Sequence, residues 1–456
     1  MITIYLDKQI FSYLFNAKEA KYSLLREKIL SHKDDFIFFY SNAHLFDLQD
    51  DKTNIKYKEM EFMQSIVDGN HLIYDGDKLV VLKQSPYDSF KAIGNINDLS
   101  WLENMDISKI TGEQRKVLNN IIDIYMRDSN GKLGFDWIIK RTPLTTDKLQ
   151  MDKLHLISFL KNISYNLYEN VDKYKKMRDN AIAEYNPKLI TTKEGEVFDA
   201  QLSSAPLGLS FVELIRAILM QTGSVSFNSA MKYYISYMLL DLLGINKETR
   251  KKIKLRNMET DCYHSFFGSY CDCIVTEDEG MRQKSKTLYQ LFHFDTKVYS
   301  VDEFIEKFDE AIKNNKKSAD EYFKEINSDY QAKQVLRRDI INENVLMNLK
   351  TSNEYFGYFS CMLERKSKEE TVIILHKNYN INKSILVKEI KIIVNRMVRV
   401  FNEMGAHFSL FDETIELPQL KADNWYRLMR LNDADVCLTK FKEKPMLCLW
   451  IKLKEQ

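Results

Sequence analysis

Distant parts of this chain carry acids in places where a carboxylate could hold a cation. Thr260-Asp261-Cys262-Tyr263-His264 sets an acid one helical turn ahead of a histidine. Asp278 follows seventeen residues after Asp261, at the end of Cys271-Asp272-Cys273-Ile274-Val275-Thr276-Glu277-Asp278. The run Ile2-Thr3-Ile4-Tyr5-Leu6-Asp7 likewise ends an apolar stretch on an aspartate. A further acid lies in Ser41-Asn42-Ala43-His44-Leu45-Phe46-Asp47-Leu48, where Ser41 suits a helix N-cap and His44 and Asp47 share a helix face. Carboxylates gathered together repel one another, and a divalent cation is the natural compensation. Hard oxygen ligands favour Mg²⁺ or Mn²⁺ over zinc. Such a centre can activate water and stabilise charge on a leaving oxygen.

The elements that must position these acids read as α/β. Residues 2–6 form a short strand, residues 8–30 keep a helical period through Ile10, Tyr13, Leu14, Leu24 and Leu25, and Phe36-Ile37-Phe38-Phe39-Tyr40 is a strand apolar on both faces. Burial on both faces argues for a parallel sheet covered by helices, and ligands collect beyond the carboxyl ends of such strands. The α/β pattern resumes with a helix over 261–270, a strand at 273–276, a helix over 280–291, a short strand at 297–299 and a helix from Val301. Between these halves, residues 71–82 suggest a hairpin around Asp75-Gly76, and long helical patterns follow as far as 243. The expected architecture is therefore a core from residues 1–51 and 231–315, a mostly helical insertion over 52–230, a helical connector over 316–350, and a smaller α+β domain over 351–456. In that tail, strands are expected at 355–363, 371–375, 436–441 and 446–453, with Leu386, Ile390, Ile393 and Met397 tracing a helix face.

Composition sets the outer bounds. A chain of 456 residues, 45% apolar and 29% charged, with six prolines and fourteen glycines, describes a folded protein of more than one domain. No run of eighteen apolar residues occurs, which points to the cytoplasm and away from the membrane. The six cysteines lack zinc spacing and read as reduced, structural thiols. A net charge of +1 gives no nucleic-acid signal for the whole chain. Locally, Lys247, Arg250, Lys251, Lys252, Lys254 and Arg256 stand against one acid, Glu248, just before Asp261. This block is either a solvated helix face or a contact for a polyanion backbone.

Tyr5-Leu6-Asp7-x-x-Ile10-Phe11, Ser41-x-x-His44-x-x-Asp47-Leu48, and Asp261-x-x-His264 followed by Asp272-x-Ile274-Val275-Thr276-x-Asp278 resemble a PIN-domain nuclease over about residues 1–50 and 245–305. The resemblance implies a PIN-like parallel sheet and a Mg²⁺- or Mn²⁺-dependent endoribonuclease. Asp7, Asp47, Asp261 and Asp278 would be its catalytic, metal-holding acids, with Thr276, Ser41, His44 and His264 near the site. Lys286, Arg282, Lys251, Lys252 and Lys254 would contact substrate phosphates. RNA is the favoured partner over DNA, the tail offers a surface for a protein partner or oligomer, and a defence or stress effector is one role such an enzyme fills.

Each residue also has an ordinary structural reading. Asp7 and Asp261 could cap helices, Asp278 could occupy a turn, Asp47 could be a surface acid, and the two histidines could be packing residues. Two alternative functions stay open: a catalytically silent PIN-like nucleic-acid-binding or regulatory protein, and a flap-type structure-specific DNA nuclease.

Overall fold

A computed structural model describes residues 1–75, 78–93, 210–213, 215, 229–242, 255–341, 344–367, 370–377, 382–432, 434–441 and 446–453. The described residues form a mixed α/β structure around two sheets. No helix among them is long and apolar enough to cross a membrane.

The first sheet has six strands. β1 (Thr3–Leu6) and β2 (Ile37–Ser41) are followed by β3 (Asn70–Asp75) and β4 (Lys78–Lys83); β5 (Cys273–Val275) and β6 (Lys297–Tyr299) come from the second half of the chain. The order is β4-β3-β2-β1-β5-β6. β1 pairs in parallel with both β2 and β5, β2 with β3 and β5 with β6, while β4 turns back antiparallel on β3. β1 and β2 are buried at every position, as expected for central parallel strands with helices on both faces. The hairpin expected around residue 75 is present, but it extends this sheet. The core thus continues past residue 51, where the sequence suggests a helical insertion. The greater part of that insertion, and Lys251, Lys252 and Lys254 with it, lie outside the described residues.

Helices α1 (Lys8–Asn16) and α2 (Ala20–Ser31) replace the single helix expected over 8–30. Ala17 closes α1 with its N–H on the carbonyl of Tyr13 and its φ at 45°, a left-handed cap made without glycine. α3 (Asn42–Asp50), α4 (Ile55–Val67) and α5 (Pro86–Ala92) follow, then α6 (Ser229–Leu242) and α7 (Leu255–Gly268). Next are α8 (Glu279–Leu291) and α9 (Val301–Asn315), the latter opened by a capping box in which Ser300 and Glu303 satisfy each other's backbone N–H groups.

α10 (Ala319–Ala332) leads to the second sheet. That sheet is antiparallel, from β7 (Val335–Ile341), β8 (Asn344–Leu349), β9 (Cys361–Lys366), β10 (Thr371–His376), β11 (Tyr426–Arg430), β12 (Ala434–Lys440) and β13 (Leu447–Leu453), ordered β11-β12-β13-β10-β9-β8-β7. The connector expected to be helical to residue 350 therefore gives way to a β-hairpin at Val335. α11 (Lys383–Asn402) buries Leu386, Ile390, Ile393 and Met397 as their spacing suggests, and α12 (Glu413–Lys421) follows.

One hydrophobic cluster runs through both sheets, from Tyr5 and Ile274 to Phe356, Ile390 and Leu449. The polar junction lies at the amino ends of the parallel strands. Lys377 there meets Asp272 at 2.5 Å and Glu389 at 3.0 Å. Asp272 also accepts from the backbone N–H groups of Ile2 and Thr3 at 2.6 and 3.1 Å. Arg396, buried in α11, donates to the carbonyls of Phe356 and Asp35 at 2.6 and 2.9 Å.

Candidate metal centre

At the opposite, carboxyl ends of the same strands, the chain gathers its acids. Asp7 ends β1, and its N–H still follows the ladder to the carbonyl of Val275 at 2.9 Å. Thr276, directly after β5, donates its hydroxyl to Asp7 Oδ2 at 2.7 Å. α3 begins at the end of β2 and carries Asp47 over the mouth. α7 brings His264, whose Nε2 lies 3.0 Å from Asp47 Oδ2 and 3.7 Å from Asp7 Oδ1. One ligand atom from each of Asp7, Asp47 and His264 falls within 4.8 Å of the others. The group is graded in depth: the His264 side chain is 1% exposed, Asp7 10% and Asp47 33%.

Tyr5 supports this group from behind. Its buried hydroxyl lies 2.9 Å from His264 Nδ1 and 2.7 Å from Ser41 Oγ. Ser41 caps α3, accepting from the Ala43 N–H at 3.2 Å. His44 completes a capping box: its Nδ1 accepts from the Ser41 N–H at 3.1 Å, and its Nε2–H donates to the Leu6 carbonyl at 2.8 Å. His44 is thus a bracket between β1 and α3. The sequence places it near the site, and its two nitrogens are both used to hold backbone.

The two histidines are driven in opposite directions. Burial, with His264 nearby, pushes the His44 imidazole well below its ordinary range, so it is neutral. Burial also disfavours charge on His264, but the carboxylates of Asp7 and Asp47 more than reverse this and raise its pKa. Asp7 is itself raised, chiefly by burial, against the pull of His264 and the Thr276 hydroxyl. The trio therefore holds a proton more firmly than its separated members would. A cation binding between these two carboxylates competes with that proton.

The remaining acids take different places. Asp278 is the N-cap of α8, its Oδ1 accepting from the Met281 N–H at 2.8 Å, while its own N–H donates to Thr276 Oγ1 at 3.1 Å. It is one hydroxyl removed from Asp7, and its charge contributes to raising the Asp7 pKa. Asp261 does not start a helix: α7 is already helical from Leu255, and Met258, Cys262 and Phe266 form one buried stripe along it. It sits one turn before His264, outside the group of Asp7, Asp47 and His264. On α8, Lys286 is exposed and Arg282 half-buried. Both act on Glu303 at the start of α9. Tyr5 is the residue whose part the sequence does not reveal, since an aromatic side chain in a buried strand ordinarily signals packing alone.

Comparison of the chain with protein-family models, with curated proteins and with solved structures finds no match.

Proposed function

We propose that this protein is a metal-dependent phosphodiesterase, with RNA as its preferred substrate. The observation that carries the reading is the approach of Asp7, Asp47 and His264 within 4.8 Å at the carboxyl ends of parallel strands. Two carboxylates and an imidazole suit a divalent ion, and the nitrogen donor favours Mn²⁺ over Mg²⁺. When bound, such an ion lowers the pKa of a water and stabilises charge on the leaving oxygen. Asp7 would hold it, kept in orientation by the Thr276 hydroxyl. His264 would ligate through Nε2, with its ring fixed by Tyr5 at Nδ1. Asp47, the outermost of the three, faces the side from which a substrate phosphate arrives. Asp278 and Asp261 would add negative charge around the centre, available to a second ion or to the attacking water. The choice of RNA, and the role of a defence or stress effector, rest on the PIN-domain resemblance of the sequence.

One observation favours the silent alternative: His264 Nε2 lies 3.0 Å from Asp47 and 3.7 Å from Asp7, where its proton offsets part of their charge without any metal. Labelled RNA and DNA incubated with Mn²⁺, Mg²⁺ or EDTA separate the two. Mn²⁺-dependent cleavage that falls by orders of magnitude in Asp7→Asn is the expected result. Calorimetric Mn²⁺ binding without cleavage of either substrate would support the silent protein, and cleavage indifferent to EDTA would end the metal reading altogether.

A further inference from the structure

Among the described residues, β7 is an edge of the seven-stranded sheet, and six of its seven residues are exposed. Four of these are aliphatic: Val335 is 47% exposed, Leu336 70%, Ile340 71% and Ile341 54%. A bare apolar edge is a template for another strand, and proteins usually blunt it with charge. Here the charged residues occupy the middle, in the order Val335-Leu336-Arg337-Arg338-Asp339-Ile340-Ile341.

That order is self-complementary when read against itself antiparallel. With a twofold axis through Arg338, Arg337 lies opposite Asp339 of the partner subunit, and the axis repeats the pair. Arg337 and Asp339 share parity within the regular part of the strand, so the opposite charges meet on one face. Among the described residues of the single chain, Arg337 Nε meets its own Asp339, at 2.9 Å on an exposed surface. The ladder to β8 shifts register between Val335 and Arg337, so the regular pairing is centred on residues 337–339, with the exposed aliphatic residues flanking it. One like pair remains, Arg338 against itself on the axis.

We infer that β7 is a pairing edge for a second copy of this chain, joining two seven-stranded sheets across a twofold axis. The charge order selects this occupant. A single ladder buries little area, so the dimer should be weak and concentration-dependent.

Sedimentation of the full-length protein over a hundredfold concentration range tests this. The wild type is expected to show a monomer–dimer equilibrium. Arg337→Asp or Asp339→Arg alone sets like charges opposite each other twice per dimer and should raise Kd by roughly tenfold or more, whereas the double exchange restores pairing. Both positions lie on the surface, and melting temperatures verify that the variants fold. Arg338→Thr removes the like pair and should tighten the dimer, a gain that unfolding cannot mimic. A wild type that stays monomeric overturns the inference, as does a Kd indifferent to the single exchanges. Mass growing beyond the dimer would indicate pairing with the other sheet edge, β11, and would also overturn it.

Discussion

At the scale of single residues, the centre depends on which polar groups are already committed to structure. His44 looks like a site residue in sequence because it lies three positions before Asp47, yet both its ring nitrogens hold backbone. Asp278 has one carboxylate oxygen committed to its cap. Asn caps a helix as well as Asp does, so Asp278→Asn should shift the melting temperature little. If its negative charge serves the centre, Mn²⁺-dependent cleavage should drop severalfold or more in the same variant. A less stable but fully active Asp278→Asn protein would make the residue a cap only. The sequence places Asp261 and His264 on one helix face, but it cannot say which of them meets Asp47, 217 residues away from His264. That choice depends on the rotation of α7 about its axis, which is set by Met258, Cys262 and Phe266 against the core.

At the scale of elements, the approach of α7 to β5 fixes the depth of His264. Gly268 makes this approach close: a methyl group there would stand 2.6 Å from Ile274 Cδ1. Gly268→Ala should cost about 1–3 kcal/mol by overpacking and displace α7 enough to weaken Mn²⁺ binding. Ile274→Val removes the nearest atom, so the double variant should lose less than the two single losses added together, measured as chemical-denaturation midpoints. Equal additivity would mean that Gly268 does not set the spacing. The buried strands, and the helices with a clear apolar stripe such as α9 and α11, are legible in the sequence because burial forces a period on it. Elements without a buried face are not. β7 is exposed at six of seven positions and shows no alternation. The break at Ala17 carries neither glycine nor proline to announce it.

At the scale of the whole molecule, the second sheet is fastened to the amino ends of the parallel strands, away from the mouth, and it shares a continuous core with the first. One buried tie is Lys377, a cation facing the carboxylates of Asp272 and Glu389, with burial holding the Glu389 pKa up. Lys377→Met strands those carboxylates and should cost about 3–5 kcal/mol. Adding Glu389→Gln should return part of that loss. Because the core is shared, the wild type is expected to unfold in one transition by both circular dichroism and tryptophan fluorescence. Two separate transitions in the wild type would contradict the coupling. The sequence suggests a tail with its own strands and helix, but not its integration, since a core common to distant segments leaves no local mark. The strand order has a consequence for synthesis on the ribosome. β1 is flanked by β2 and β5, so it waits for a neighbour made long after it, and Asp7 and Asp47 wait with it for His264. Such long-range pairing is slow to form, and a nascent chain therefore carries its acids unassembled until that later segment emerges. If the centre cleaves RNA, it cannot assemble on the nascent chain before His264 has left the ribosome.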